Sequence, residues 1–143
     1  MRINQMKKLL FLIMTFFSFD VLSAEFIIQT KENSYTFQTD IADTPLKQQQ
    51  GLMFQKEIPD NYGMTFIFEN KSILRMWMKN TYLPLDMIFF DENGRITHIH
   101  QNAEPFSEEI ILSKEPAVGV IEVLGGTTTN KQIKIGDQIF IKP

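Results

Sequence analysis

Apolar and polar residues alternate in short runs along most of the chain, and alternation at every second position is typical of strands with one buried face. This pattern predicts strands at residues 26–30, 35–42 and 64–68. The polar residues 31–34 separate the first two strands, so we expect a hairpin there.

Between the hairpin and the third strand, Thr44 and Pro45 indicate the start of a helix. Thr44 can accept a hydrogen bond from a backbone N–H that has no partner inside the helix, and Pro45 suits the first helical position. We expect a short helix that ends near Met53 and directs Leu46, Gln50 and Met53 inward.

The most informative stretch is the largely apolar one from Arg75 to Asp91, which carries the single tryptophan of the chain, Trp77. Pro84 lies inside this stretch and cannot donate a backbone hydrogen bond to a neighbouring strand. The stretch therefore predicts two strands, at residues 74–80 and 86–91, rather than one.

The Asn-Gly pair at 93–94 is the strongest hairpin signal in the chain, because these residues accept the backbone dihedrals of a tight turn. We expect the returning strand at residues 95–101 and a long surface loop at 102–116. Residues 118–124 predict a buried strand that is interrupted only by Glu122.

The end of the chain predicts a flexible turn at Gly125-Gly126 and the following threonines, and then a last pair of strands within 133–141. The whole pattern contains eight or nine short strands and one short helix. It predicts a mainly β fold, a single compact domain over residues 25–143 that forms a β-sandwich or a barrel-like sheet.

The N-terminus has the pattern of an export signal. A basic start precedes an unbroken apolar or small run from Leu9 to Phe19, and Leu22-Ser23-Ala24 offers small residues for cleavage. We expect residues 1–24 to be removed as a signal peptide, which leaves a periplasmic protein that starts at Glu25 and does not span a membrane. A permanent anchor is less favoured, because the run is well short of the roughly 20 residues that cross a bilayer.

The net charge of the chain excludes one class of partner. The net charge is −3, and removal of the three basic residues and the one acidic residue within 1–24 leaves −5. Acidic chains bind polyanions poorly, so we do not expect nucleic acid as a partner.

The chain has no cysteine, so its stability has to come from a hydrophobic core rather than from disulfides.

Four polar side chains lie inside or beside apolar strands: Lys79, Asn80, Asp86 and Glu122. An unpaired carboxylate is costly there, so the simpler interpretation is that these groups satisfy one another and nearby backbone groups. The functional interpretation is a ligand site next to Trp77. In such a site Lys79 would hold an anionic group, and Asp86 or Glu122 would accept protons from a hydroxyl or an amine.

Two further interpretations remain open. One is a hydrolase that uses Asp86 or Glu122 as general acid or base near His100, although no nucleophile or phosphate-loop motif is present in the sequence. The other is a scaffold that binds a cell-envelope protein through an exposed apolar patch. We expect no cofactor in any of these cases.

His98 and His100 share one face of their strand, since strand side chains repeat every second residue. With a third ligand such as Asp91 or Glu104 they could hold a metal ion. Two histidines without cysteines are a weak signal, so we favour partly exposed strand histidines and expect no metal site.

Several segments together resemble the domain-of-unknown-function 192 family over about residues 36–141. They are Gly51-Leu52-Met53-Phe54, Gly63-Met64, Phe66, Phe68, Trp77-Met78-Lys79-Asn80-Thr81, Pro84-Leu85-Asp86, Phe89, Glu122 and Gly136-Asp137. The resemblance implies a compact, mostly β domain with a short helix, often exported, that has no assigned activity.

The chain departs from the family pattern at three positions. Gln50 and Gln55 stand where arginines are usual, and Met76 stands where phenylalanine is usual. If those arginines bind an anion in the family, Lys79 is the best remaining cation in this chain. The partner implied is an unknown small polar ligand or a cell-envelope protein.

Overall fold

A computed structural model describes residues 23–143, and the expected signal peptide at 1–24 lies almost wholly outside the described residues. The described chain contains two short helices and nine strands: β1 (Glu25–Gln29), β2 (Ser34–Ala42), α1 (Pro45–Gln50), β3 (Tyr62–Ser72), β4 (Arg75–Met76), β5 (Leu85–Phe90), β6 (Ile96–Ala103), β7 (Ile111–Leu112), β8 (Ala117–Leu124), α2 (Thr127–Asn130) and β9 (Gln138–Lys142). Within residues 23–143, no helix is long and apolar enough to cross a membrane.

Seven strands form one sheet in the order β6-β5-β8-β3-β2-β1-β9, and β4 pairs with β7 in a separate two-stranded ribbon. The sheet curls, so its edge strands meet at one end, where Arg95 bridges to Gln138 and the Ile139 N–H donates to the Gly94 carbonyl at 2.7 Å. The prediction of a mainly β, barrel-like fold is confirmed, with the sheet forming a half-barrel.

Each face of the curled sheet carries its own hydrophobic core. One core is built by Phe26, Ile28, Phe37, Ile88, Phe90, Ile96, Ile121, Val123, Ile133 and Ile139. The other contains Leu52, Phe66, Leu74, Met76, Met78, Leu85, Met87, Phe89 and Val120 among its members. Because successive strand residues point to opposite faces, neighbouring positions of β5 and β8 contribute to different cores.

The predicted helix start is confirmed, because Thr44 accepts a hydrogen bond from the Lys47 N–H and Pro45 occupies the first turn. The predicted inward direction of Leu46 is wrong, since this side chain is 74% exposed. The helix has six residues and none is buried, so it has no apolar face, and the Gln48 amide attaches it to the Ala42 and Ile67 carbonyls. Gly51 then terminates it with a φ of 46°.

The predicted strand at 74–80 is reduced to the two residues of β4. The chain turns at Asn80, whose φ is 53°, and the Met78 N–H donates to the Ser107 carbonyl instead of to a neighbouring strand. The backbone groups of this segment are therefore satisfied by a loop.

Two predictions at the C-terminal end are wrong. The residues after Gly126 form the short helix α2 instead of a flexible turn, because the Asp86 carboxylate accepts hydrogen bonds from Thr128. The last segment contains one strand, β9, rather than a pair. Residues 133–137 lead into it through a turn in which Asp137 accepts from the Lys134 N–H.

Candidate functional site

Glu122 is a carboxyl group in the middle of the sheet. It lies on β8 and faces Met64 on β3 and Met87 on β5 in the strand register. The residue is 4% exposed, and burial raises the pKa of its carboxyl to about 8, with no hydrogen bond from the described residues to offset that effect. A carboxyl in this position is largely protonated at pH 7, so it can both donate and accept a hydrogen bond.

The loop after α1 covers this carboxyl. A Cβ atom at Gly51 would lie 3.1 Å from Phe66 Cζ and 3.8 Å from Glu122 Oε2, so the backbone passes directly over the acid. Glycine is required here by this close approach and by the positive φ of 46°.

Glu122 lines a small cavity of about 20 Å³. This volume suits a single water molecule or one polar group of a ligand. The lining residues are Gln48, Gln49, Gln50, Gly51, Leu52, Met53, Phe66, Met76, Trp77, Lys79, Thr81 and Glu122.

A surface cleft of about 340 Å³ adjoins the small cavity. It is lined by Leu46, Gln49, Gln50, Met53, Trp77, Lys79 and Asn80. Five of these residues, Gln49, Gln50, Met53, Trp77 and Lys79, also line the small cavity, so Glu122 lies at the floor of the cleft. We call the two cavities together the Trp77 cleft.

The positively charged group of the cleft is the Lys79 ammonium, and it already contacts two other side chains. The Lys79 ammonium lies 5.1 Å from the centroid of the Trp77 ring and 3.9 Å from a carboxylate oxygen of Glu108. Both partners compensate its charge, although the exposed pair with Glu108 is weak. Lys79 is therefore held across the aromatic ring at the mouth of the cleft.

Asn80 has a structural part in the cleft, because its carbonyl accepts a hydrogen bond from the Phe54 N–H at 2.9 Å. This contact joins the loop after α1 to the segment that carries Trp77. Three exposed aromatic residues border this segment: Phe54 donates to Asn80, Tyr82 follows it in the chain, and Phe106 packs edge-on against Tyr82. Phe54 and Phe106 each have a φ of 65°, a rare and strained value for aromatic residues.

Asp86 lies on the opposite face of the sheet from Glu122. The β5–β8 register pairs Asp86 with Val123 and places Glu122 opposite Met87. The fully buried Asp86 carboxylate accepts hydrogen bonds from the backbone N–H groups of Asn102, Gly126 and Thr128 and from the Thr128 hydroxyl.

These contacts show how the structure distributes the residues singled out by the sequence. Trp77, Lys79 and Asn80 line the cleft with Glu122 below them, whereas Asp86 joins β6 to α2 from the other side of the sheet. The four polar groups do not satisfy one another as the simpler interpretation expected. Asp86 alone satisfies several backbone groups.

His98 and His100 line a separate cleft of about 490 Å³ with Glu104, Glu109 and Lys114 among its residues. The His98 ring stacks on Phe89 at 5.8 Å, and burial lowers the pKa of its imidazole. Within residues 23–143, His, Cys, Asp and Glu side chains form no group of three or more that could hold a metal ion.

Gln49 and Gly51 are among the cleft residues that the sequence did not indicate as site residues. Gly51 was visible as part of the Gly-Leu-Met block, but its role depends on the approach to Glu122, about 70 positions later in the chain. Gln50 lines the small cavity at the position where the family resemblance places an arginine. At this position the cleft therefore carries an uncharged carboxamide in place of a guanidinium, and Lys79 is the one cation among the residues that line the small cavity.

Comparison with known proteins agrees with the pattern of these residues. The model of the family DUF192, described as "Uncharacterized ACR", matches residues 26–141. The chain belongs to the DUF192 family. No curated protein matches it.

Two solved structures resemble this DUF192 chain closely. A structure of a proposed transcription regulator from Sinorhizobium meliloti has 37% identity and a TM-score of 0.81, and the match covers 83% of this chain and 94% of that one. A protein of unknown function from Novosphingobium aromaticivorans has 32% identity and a TM-score of 0.79, with 81% of this chain and 83% of that one covered. The DUF192 fold is thus shared with known structures.

Proposed function

We propose that this DUF192 protein is an exported, periplasmic β domain that binds a small polar ligand in the Trp77 cleft. The observation that carries the proposal is the Glu122 carboxyl, which is buried, raised in pKa and without a hydrogen-bond partner among the described residues. Glu122 lines the small cavity, so a ligand group that enters this cavity could exchange a hydrogen bond with its carboxyl.

The dimensions of the cleft support the same proposal. Ligand pockets occupy roughly 300–1,000 Å³ and combine apolar walls with a few polar groups. The outer part of the Trp77 cleft has about 340 Å³, with Trp77 and Met53 as apolar walls and Lys79, Gln49 and Gln50 as polar ones.

An enzyme that uses Glu122 as general acid is the second candidate. A carboxyl with a pKa of about 8 holds its proton at neutral pH and could give it to a leaving group in the cleft. Asp86 is a poorer candidate for this role, because its carboxylate already accepts four hydrogen bonds on the other face of the sheet. Turnover of a bound ligand that disappears in Glu122→Gln would favour this second function.

Transcription regulation, which the description of the S. meliloti protein proposes for that protein, is not the function we propose for this chain. The net charge of −3 disfavours contact with a polyanion.

Ligand binding is tested by a thermal-shift screen of the protein against amino acids, sugars, peptidoglycan fragments, nucleotides and metal ions. We expect at least one compound to raise the melting temperature, since a ligand at 100 times its dissociation constant adds about 2.7 kcal/mol of stability. The shift should be lost in Lys79→Ala and Glu122→Ala.

Glu109→Gln is the matched control, because Glu109 is exposed and lies outside the Trp77 cleft. A melting-temperature shift that survives both cleft substitutions would place the ligand elsewhere. No shift with any compound would count against ligand binding.

Export is tested by the mass of the protein recovered from the periplasm. We expect the mass of residues 25–143, because cleavage after Ala24 leaves the whole of β1, which starts at Glu25, in place. A variant with Leu12 and Leu10 replaced by Asp should stay in the cytoplasm with its full mass, since the apolar run is interrupted. Recovery of the unprocessed wild-type chain in the membrane fraction would instead support a permanent anchor.

A further inference from the structure

The polar groups that line the Trp77 cleft are mostly uncharged. Gln49, Gln50 and Asn80 offer carboxamides at the mouth, each with donors and an acceptor. Gln48 serves a different purpose, because its amide nitrogen donates to the Ile67 carbonyl at 2.7 Å and thereby attaches α1 to β3. The groups that face the cleft are thus suited to a partner that both donates and accepts hydrogen bonds.

The single cation of the cleft is a poor anchor for a strongly anionic ligand. Lys79 is 3.9 Å from a Glu108 carboxylate oxygen, so binding of a phosphate would have to displace or repel that acid. The cleft contains no second lysine or arginine among its lining residues. Phosphate and nucleotide sites usually combine several cationic or backbone N–H donors.

The walls supply the apolar part of the site. The half-buried Trp77 ring lines both parts of the cleft, and Met53 and the exposed Leu46 extend the apolar surface beside it. A flat ring with an apolar face and polar edges would take the place of the Lys79 ammonium over the indole, and would contact the carboxamides with its edges.

We propose that the ligand of the Trp77 cleft is a carbohydrate, whose C–H face packs against Trp77 and whose hydroxyls bind Gln49, Gln50 and the Glu122 carboxyl. A sugar hydroxyl is both a donor and an acceptor, as are a carboxamide and a protonated carboxyl. The small cavity of about 20 Å³ admits one hydroxyl group to Glu122, and the outer cleft of about 340 Å³ holds the ring. This inference rests on the proposed ligand-binding function and names its ligand class.

A free amino acid is the nearest competitor. Its ammonium would need an ionised Glu122 and its carboxylate would need Lys79. The buried Glu122 is largely uncharged at neutral pH, so the ammonium of the zwitterion meets no ready counter-charge in the cleft.

The test uses the fluorescence of Trp77, which is the single tryptophan of the sequence and therefore reports this cleft alone. The probes are the trisaccharides of N-acetylglucosamine and of glucose, compared with L-alanine, D-alanine, AMP and inorganic phosphate. We expect at least one trisaccharide to shift the emission of the protein saturably. The affinity should fall about five- to tenfold in Gln49→Ala or Gln50→Ala, which is the loss expected for one hydrogen bond.

Gln55→Ala is the matched control, because Gln55 is an exposed glutamine of the loop directly after α1 that does not line the cleft. Saturable binding of a trisaccharide that is weakened by the cleft variants and not by this control supports the proposal. Binding of alanine, AMP or phosphate with the same dependence overturns the carbohydrate assignment and leaves the ligand-binding function in place. If no probe shifts the emission, both are rejected.

Discussion

Glu122→Gln is expected to stabilise the protein at pH 8.5 and to remove most of the pH dependence of its stability between pH 5 and pH 8.5. Burial raises the pKa of the Glu122 carboxyl from its ordinary value of 4.5 to about 8 in the folded protein. Between these two pH values the folded state keeps the proton and the unfolded state loses it. The free energy of unfolding therefore falls as the pH rises from 4.5 to 8 and is lowest above pH 8.

The size of this effect follows from the difference between the two pKa values. Each pKa unit corresponds to about 1.4 kcal/mol, so wild-type protein should lose on the order of 4 kcal/mol between pH 5 and pH 8.5. Glutamine keeps the size of the side chain and cannot ionise. Urea unfolding at both pH values, in wild type and variant, measures the difference directly.

The comparison between wild type and variant also removes the contribution of His98. Burial lowers the pKa of that imidazole, so His98 makes stability rise with pH up to about 6.5, in the opposite direction to Glu122. Glu109→Gln serves as the control, because it removes an exposed acid outside the cleft. Equal pH dependence in wild type and Glu122→Gln would show that Glu122 is not the titrating group.

Gln50→Arg is expected to lower the pKa of Glu122, the opposite of the effect of burial. Gln50 lines the small cavity together with Glu122, and a guanidinium there would favour the ionised carboxylate. The pKa of Glu122 should fall and the loss of stability at pH 8.5 should become smaller. An unchanged pH profile would mean that an arginine at position 50 does not reach the acid.

Asp86→Ala is expected to destabilise the protein by roughly 3–5 kcal/mol, because charged hydrogen bonds are lost and their donors stay buried. The carboxylate accepts from the backbone N–H groups of Asn102, Gly126 and Thr128 and from the Thr128 hydroxyl, at distances of 2.7–3.2 Å. These contacts hold the end of β6 and the start of α2 against β5. The measurement is the free energy of unfolding in urea near pH 7.

Two controls separate this structural role from a role in ligand binding. Asp60→Ala removes an exposed acid and should change stability by less than about 0.5 kcal/mol. Thr128→Val removes one of the donors to Asp86 and should reproduce part of the loss. A fully stable Asp86→Ala protein would contradict the structural role and reopen Asp86 as a ligand-contacting group.

The sequence predicted only some of the residues of the candidate site correctly. Trp77, Lys79 and Glu122 stood out as unusual residues, and the structure brings them together around one cleft. Asp86 stood out for the same reason, yet it lies on the other face, because the β5–β8 register pairs it with Val123 and not with Glu122. A shift of one residue reverses the face of a strand side chain, and only strand pairing decides that register.

The loop after α1, which covers Glu122, could also be predicted only in part from the sequence. The sequence indicated the helix start at Thr44 and Pro45, since capping depends on neighbouring residues alone. It did not indicate that the helix would bury no residue or that Gly51 would pass over Glu122. Those properties depend on where β8 lies relative to α1 and not on the local pattern.

The amino-acid sequence was sufficient to predict the β class, most strand positions, the Asn93-Gly94 hairpin and the family. The first three follow from period-two alternation and turn chemistry, which act between residues close together in the chain. The family follows from the resemblance of motif blocks such as Trp77-Met78-Lys79-Asn80-Thr81. The tertiary structure decided which face each carboxyl occupies, which one is satisfied and which one lies at the floor of a cleft. The reason is physical: the hydrogen bonding and pKa of a buried carboxyl depend on groups from distant strands, here Thr128 for Asp86 and the cover of Gly51 for Glu122.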